Sequence, residues 1–290
     1  MKFDVIAIDY AWNFRVYNKD TGRGRSAAAH YDTDSLDWED WRLFVQHLWP
    51  LMADNCALTL WMTRPSQDEA MEMVKYDWNA WVAKYIQPSG RTTRFGTALP
   101  RKKDRLVYKT ELFTLSKNYR DGTPYVGMGF FSRANTEPCM LYVRGRMPRK
   151  DAGVRQRIDI CPYDVPKDQR HSHKPPEYRR RIERLWPGRR YLEIFARPSS
   201  ITEEDTNWTF IGNEISGNDI RVDLRLLAEQ PEQLTPKEKP DVPIGEDAAD
   251  GRANLVGDSE RLYPYRPTTD FVLVGRTPRQ PTSDTLAAGD

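Results

Sequence analysis

The chain has 290 residues, 30% of them charged, with a formal net charge of +2. That length suits one large domain or two small ones, and near charge balance makes the distribution of basic residues more telling than their sum. Cys56, Cys139 and Cys161 lie far apart with no CxxC pair, which argues against a disulfide framework or a cysteine-rich zinc site. No apolar run approaches the roughly 20 residues needed to span a bilayer. The N-terminus opens on a strand pattern rather than a signal peptide, so a soluble cytoplasmic protein is expected.

In chain order, Phe3–Ile8 reads as a buried strand running into Asp9-Tyr10-Ala11-Trp12. Gly22-Arg23-Gly24-Arg25 lacks a strand directly before it and does not fit a dinucleotide fingerprint; it reads as an active-site loop whose arginines contact phosphates. Residues 37–51 carry apolar residues at helical spacing, with Pro50 near the stop. Residues 57–62 form a strand. The pattern over 66–83 predicts a helix opened by a capping box, Ser66 to Glu69. Residues 86–106 hold Arg91, Arg94, Arg101, Lys102, Lys103 and Arg105 against a single acid, Asp104, and read as a basic insertion loop. Strands are expected over 112–116, 139–143 and 191–195. Between the last two, a helix over 176–185 starts after a double proline and stops at Pro187-Gly188. Strands alternating with helices imply an α/β fold with a mostly parallel sheet, its ligands held at the carboxyl ends of the strands. Domain 1 is expected over residues 1–228. Residues 229–290 read as a mostly disordered acidic, proline-rich tail with a docking segment over 261–275.

The tetrapeptide suggests a chemistry. An exocyclic amine on a base is a poor nucleophile because its lone pair is delocalised into the ring. A carboxylate and a main-chain carbonyl can accept its two hydrogens, and an aromatic face can hold the base flat. Asp9 supplies the carboxylate, the carbonyl of Tyr10 the second acceptor and Trp12 the face, acting on a base flipped out of its stack. His171 and His173 sit two apart, but no cysteine or carboxylate completes a metal site. Basic residues at 101–103, Arg133, Arg144, Arg146 and 179–181, interleaved with aromatics, suit contacts to phosphate.

The order of motifs along residues 3–216 is more specific. After the tetrapeptide come His30-Tyr31, Leu60-Trp61, Gly127-Met128-Gly129, Arg133, Asn135, Glu137, Arg144-Gly145, Ser172-His173-Lys174-Pro175, Ile182 to Leu185, Leu192 to Arg197, Trp208 and Gly212-Asn213-Glu214. This series resembles the MT-A family of adenine-N6 methyltransferases, most of all its short phage and bacterial DNA-modifying members. The resemblance implies a Rossmann-like class I methyltransferase using S-adenosylmethionine, with its motifs in permuted order. It places Ile8 and Asp9 beside the cofactor, Lys174 at its amino-acid end, and Glu193 and Arg197 near the ribose. It also places Asn213 and Glu214 on the ribose hydroxyls and Ser199 at a polar contact. DNA is the substrate it favours, and the oligomeric state, monomer or homodimer, stays open. The family form of the tetrapeptide is Asp-Pro-Pro-Trp; Tyr10-Ala11 replaces both prolines. A silent nucleic-acid-binding paralogue, RNA as substrate, and a different amino-bearing base are the alternatives this departure raises.

Overall fold

The computed structural model describes residues 1–10, 12, 38–86, 90–92, 94, 96, 98–127, 132–165 and 173–229. The chain divides into Met1–Lys239 and Pro240–Asp290, and every described residue belongs to the first unit. The expected tail, its docking segment, Ala11, Arg23 and Arg25 lie outside the described residues.

The strands are β1 (Phe3–Ile8), β2 (Met52–Trp61), β3 (Arg91–Thr92), β4 (Ala98–Leu99), β5 (Leu106–Lys117), β6 (Thr136–Arg144), β7 (Arg157–Ile160), β8 (Tyr191–Ile194) and β9 (Trp208–Ile211). The helices are α1 (Trp38–Leu48), α2 (Gln67–Glu72), α3 (Asn79–Trp81), α4 (Glu177–Leu185), α5 (Asn213–Ser216) and α6 (Ile220–Glu229). Seven strands form one sheet in the order β7-β5-β6-β2-β1-β8-β9. β6 alone runs antiparallel to both its neighbours; the other pairings are parallel. The sheet is therefore mostly parallel and Rossmann-like.

Side chains alternate across a strand, and both faces of this sheet are covered, so its central strands read as continuous apolar runs. Ile6 and Ile8 of β1 join Trp41, Phe44 and Leu48 of α1 and Leu224 and Leu227 of α6 in one core. Val5 and Ala7 join Tyr178, Ile182 and Leu185 of α4 in the other.

Three local expectations change. The α-helix expected over 37–51 ends at Leu48, and Pro50 sits in a 3-10 turn, Trp49–Leu51. Ser66 makes no capping bond; it accepts a hydrogen bond from the Thr63 hydroxyl at 2.9 Å instead. After α2 the chain continues through wide π-type turns, Met73–Trp78 and Val82–Ile86, on either side of α3. The basic stretch before β5 is more than a loop: β3 and β4 pair as a small antiparallel hairpin, followed by a 3-10 turn, Lys102–Asp104. Strands of two residues are too short to show a period.

Candidate active site

β1 has β2 on one side and β8 on the other, so strand order reverses there and the carboxyl ends of β1 and β8 flank the switch-point crevice. Asp9 follows β1, and its N–H donates to the Ile194 carbonyl at 3.4 Å. Asp9, His173, Lys174, Glu193, Phe195, Arg197, Ser199 and Ser200 line one cleft enclosing about 300 Å³, open mouth included. Phe195 turns the chain into this cleft with φ 65°, a left-handed conformation that is an outlier for a bulky residue and must be imposed by its surroundings. Two contacts hold the turn. The Ala196 N–H donates to the Ile211 carbonyl at 3.0 Å. Gly212 packs so closely that a Cβ there would lie 2.6 Å from the Ala196 oxygen, an approach only glycine permits.

A line of alternating charges leads into the cleft. Lys174 Nζ lies 2.9 Å from Asp9 Oδ2 and 3.2 Å from Glu137 Oε2. Glu137, on β6, also pairs with Lys117 at the end of β5. Burial opposes charge on Lys174, but Asp9 and Glu137 overcome it and push its ammonium pKa up. Burial likewise opposes ionisation of Glu137, but Lys117 and Lys174 hold its carboxyl down at about 2. Burial, then the positive charges of Lys174, Arg179 and Arg197, pushes the His173 imidazole below its usual value, favouring a neutral ring beside the cleft.

A second network fixes the wall after β8. Arg179 of α4 is 0% exposed. It donates to Glu193 Oε2 and to both Asp205 carboxylate oxygens, each at 2.9 Å, and also to the Ser200 carbonyl. A buried carboxylate inside an apolar strand requires partners, and Glu193 has the Arg179 guanidinium and the Tyr178 hydroxyl. At the rim, Arg197 Nε lies 3.1 Å from Glu214 Oε1, with Asn213 beside it on the first turn of α5, exposed.

The structure thus brings together Asp9, Lys174, Glu193, Arg197, Ser199 and, through Arg197, Glu214; Ile8, expected beside the cofactor, is fully buried in the core and is not among the cleft's lining residues. Lys174, expected at the cofactor's amino-acid end, is bonded to Asp9. Several other expectations are corrected. Arg144 is no phosphate contact: it is 5% exposed, lies 3.2 Å from Asp104 Oδ1 and 3.3 Å from Asp54 Oδ1, and its guanidinium sits 4.1 Å from the Trp49 ring centroid. Arg179 is likewise interior. Trp12 presents no open face: it is 3% exposed, its indole N–H donates to the Trp61 carbonyl at 2.7 Å, and its ring lies 4.8 Å from that of Tyr10. Tyr10 is equally buried and packs edge-on to Trp41, Phe44 and Phe195. The Tyr10 carbonyl accepts from the Trp12 N–H at 2.8 Å. Arg101, Lys102, Lys103, Arg133 and Arg146 are exposed, as phosphate contacts require. Lys117, Arg179 and Asp205 were not singled out from sequence for the cleft. Glu137 stood in the motif series without a role. The signal for Arg179 was the unpaired Glu193, but nothing in sequence says which arginine answers it.

Residues 105–214 match the sequence model of the MT-A70 family; MT-A70 methyltransferases use S-adenosylmethionine as methyl donor. The chain is 28% identical over 169 residues to the human N(6)-adenosine-methyltransferase catalytic subunit METTL3, covering 58% of this chain and 23% of that protein. It is 34% identical over 89 residues to the zebrafish (Danio rerio) N(6)-adenosine-methyltransferase subunit METTL3, covering 31% and 14%. To the MT-A70-like N(6)-adenosine-methyltransferase of Drosophila melanogaster it is 33% identical over 89 residues, covering 31% and 13%. The chain therefore spans less than a quarter of the length of the relatives it matches.

Proposed function

We propose that this chain, a member of the MT-A70 family, methylates the N6 amino group of adenine in nucleic acid. The observation that carries the reading is the placement of Asp9. Its carboxylate stands at the carboxyl end of β1, bonded to buried Lys174, in the same cleft as Glu193 and Arg197. The donor set fits S-adenosylmethionine. A cation suits the carboxylate of its amino-acid end, carboxylates and an amide suit ribose hydroxyls, and Glu193 keeps acceptor capacity beyond its bond to Arg179. Lys174, Glu193, Arg197, Ser199, Asn213 and Glu214 would hold the cofactor, which when bound supplies an electrophilic methyl group.

The rest is the work of this chain's own residues. Asp9 and the Tyr10 carbonyl accept the two amino hydrogens and so direct the nitrogen's lone pair outward. Lys174 fixes the orientation of Asp9, and Glu137 and Lys117 fix Lys174. Trp12, tied to Trp61, anchors the turn that carries both acceptors; the stacking role first expected of it requires the ring to leave the core. The exposed Arg101, Lys102, Lys103, Arg133 and Arg146 meet phosphates. DNA is the first substrate to test, because the short phage and bacterial members that the chain resembles act on it. The matched relatives are named for adenosine, a ribonucleoside, so RNA is the second.

The full chain is incubated with methyl-labelled S-adenosylmethionine and single-stranded DNA, duplex DNA or RNA, and the digested nucleosides are analysed by mass. N6-methyladenine is expected with the wild type and none with Asp9→Asn. Cofactor binding by calorimetry without product on any polymer would sink the catalytic reading. It would leave the second one, a cofactor-binding partner on nucleic acid, which Tyr10-Ala11 in place of two prolines favours. N4-methylcytosine would reassign the base.

A further inference from the structure

Several short segments meet at the edge of the sheet opposite the cleft. β1, β2 and β8 run parallel, and β6 runs against both β2 and β5. The starts of β1 and β2, the turn before β5 and the approach to β8 therefore share one edge with the chain that leaves β6. The end of α4 joins them, because the Lys150 N–H donates to the Leu185 carbonyl at 2.8 Å. Asp9 and the cleft lie at the other edge. The six residues of β1 separate the two, roughly 20 Å at about 3.3 Å per residue.

Positive charge is gathered on this second edge. Residues 1–4, 52–55, 100–106, 144–151 and 184–190 carry twelve Lys and Arg against four Asp, in a chain whose formal net charge is +2. The rest of the chain is thus net acidic. All four acids are engaged. Asp104 and Asp54 pair with Arg144 at 3.2 and 3.3 Å, Asp151 pairs with Arg184 at 2.6 Å, and Asp4 is shared by Arg189 at 4.0 Å and Arg190 at 3.6 Å. Lys102, Lys103, Arg146, Arg149 and Lys150 are exposed and have no carboxylate partner among the described residues. The segment holding the last three is fixed at both ends, since the Arg146 N–H donates to Asn55 Oδ1 at 2.7 Å and Lys150 is tied to Leu185.

The surface chemistry selects the occupant. Interface cores between proteins are poor in charge and rich in aromatic and Met side chains, yet Met1 is the only exposed large apolar side chain on these segments. Unpaired cations spread along an edge match a row of phosphates, contacted without regard to base sequence.

We propose that this basic edge is a second nucleic-acid surface, holding backbone phosphates of a stretch of polymer remote from the target adenine. A long strand is gripped at both edges of the sheet; a short one reaches only the cleft. The proposal deepens the nucleic-acid reading above and rests on it. It assigns Lys102, Lys103 and Arg146 to this remote stretch rather than to phosphates beside the reacting base.

The test uses the full chain and fluorescent DNA strands of about 6 and about 40 nucleotides sharing one central adenine, with anisotropy read across a series of KCl concentrations. The wild type binds the long strand more tightly and with the steeper salt slope. Arg149→Gln with Lys150→Gln lowers the long-strand slope by roughly 1–2 and raises its Kd roughly tenfold at about 0.1 M salt. Affinity for the short strand, turnover on it and S-adenosylmethionine affinity stay unchanged. Arg189→Gln with Arg190→Gln is the second variant, at the other end of the edge, and moves the same readings in the same direction; thermal melting confirms that both fold. The surface is overturned if the variants bind the long strand like the wild type, or if short and long strands weaken together. Lost binding to vesicles of phosphatidylcholine and phosphatidylserine with long-strand binding intact would assign the edge to a membrane and also overturn it. Length-dependent binding that the variants abolish, without any methylated product, would retain the surface and reject the catalytic reading. Product formation with no length dependence of binding would do the reverse.

Discussion

Glu137→Gln removes the middle anion of the line from Asp9 to Lys117 while keeping the side chain's size. The Glu137 carboxyl is held at about 2 against an ordinary 4.5. At about 1.4 kcal/mol per pH unit that is about 3 kcal/mol of stability at neutral pH, an upper figure because the side chain is 20% exposed. The sign follows from the direction: a depressed acid stabilises the fold above its unfolded value and loses that contribution as pH falls towards its folded value. Urea unfolding of wild type and variant at pH 7 should therefore differ by up to about 3 kcal/mol, and at pH 3.5 by roughly 2. Other carboxylates titrate in both proteins and cancel in the difference. Methyl transfer should fall too, because Lys174 loses one of the two carboxylates that fix it against Asp9. A stability gap below about 0.5 kcal/mol at pH 7, the size of an exposed pair, would refute the reasoning. So would a gap that does not change between the two pH values.

Four further outcomes concern charged and aromatic residues that the fold has placed. Arg144→Ala should cost up to about 3–5 kcal/mol in urea unfolding, since buried Asp104 loses its buried partner and keeps the half-exposed Arg101 at 3.2 Å. Neutralising Lys102 and Lys103 together should instead spare stability and flatten the salt dependence of nucleic-acid binding by roughly 2 in log–log slope; Arg101 is left in place because it pairs with Asp104 at 3.2 Å. Arg179→Met should destabilise by about 3–5 kcal/mol and weaken S-adenosylmethionine binding measured by calorimetry. Asp205→Asn should give a milder form of both effects, because Glu193 keeps its guanidinium. Tyr10→Pro, half of the change that rebuilds the family tetrapeptide, should lower the melting temperature rather than raise activity, because it removes a ring packed on four others; Phe→Ala losses in cores run to about 3–5 kcal/mol.

The order of elements was legible because burial writes itself into local pattern. Phe3–Ile8 is a continuous apolar run because both of its faces are covered, and the paired prolines before α4 start that helix wherever it packs. The cleft was legible as a set of residues, because their order along the chain is that of a family. β7, β9, α5 and α6 were missed: β7 and β9 are four-residue edge strands, each with two or more positions not fully buried, and α6 lies in a charged stretch whose apolar stripe means little until α1 is beside it. The basic patches were misread for a related reason. An arginine in sequence is a charge, and whether it faces phosphate or carboxylate depends on what lies across from it. Arg144 finds Asp104 across 40 residues and Arg179 finds Asp205 across 26.

Sequence by itself determined that Asp9 follows a buried strand, since the apolar run is a local property of the chain, and the order of its motifs grouped Lys174, Glu193 and Arg197 with Asp9 by resemblance to a family. Only the tertiary structure decided that Lys174 is bonded to Asp9, that Tyr10 and Trp12 are packed inside, and that two arginines expected at the surface hold the interior together. The physical reason is that desolvation and ion pairing depend on distances between residues far apart in the chain, and the fold alone sets those distances.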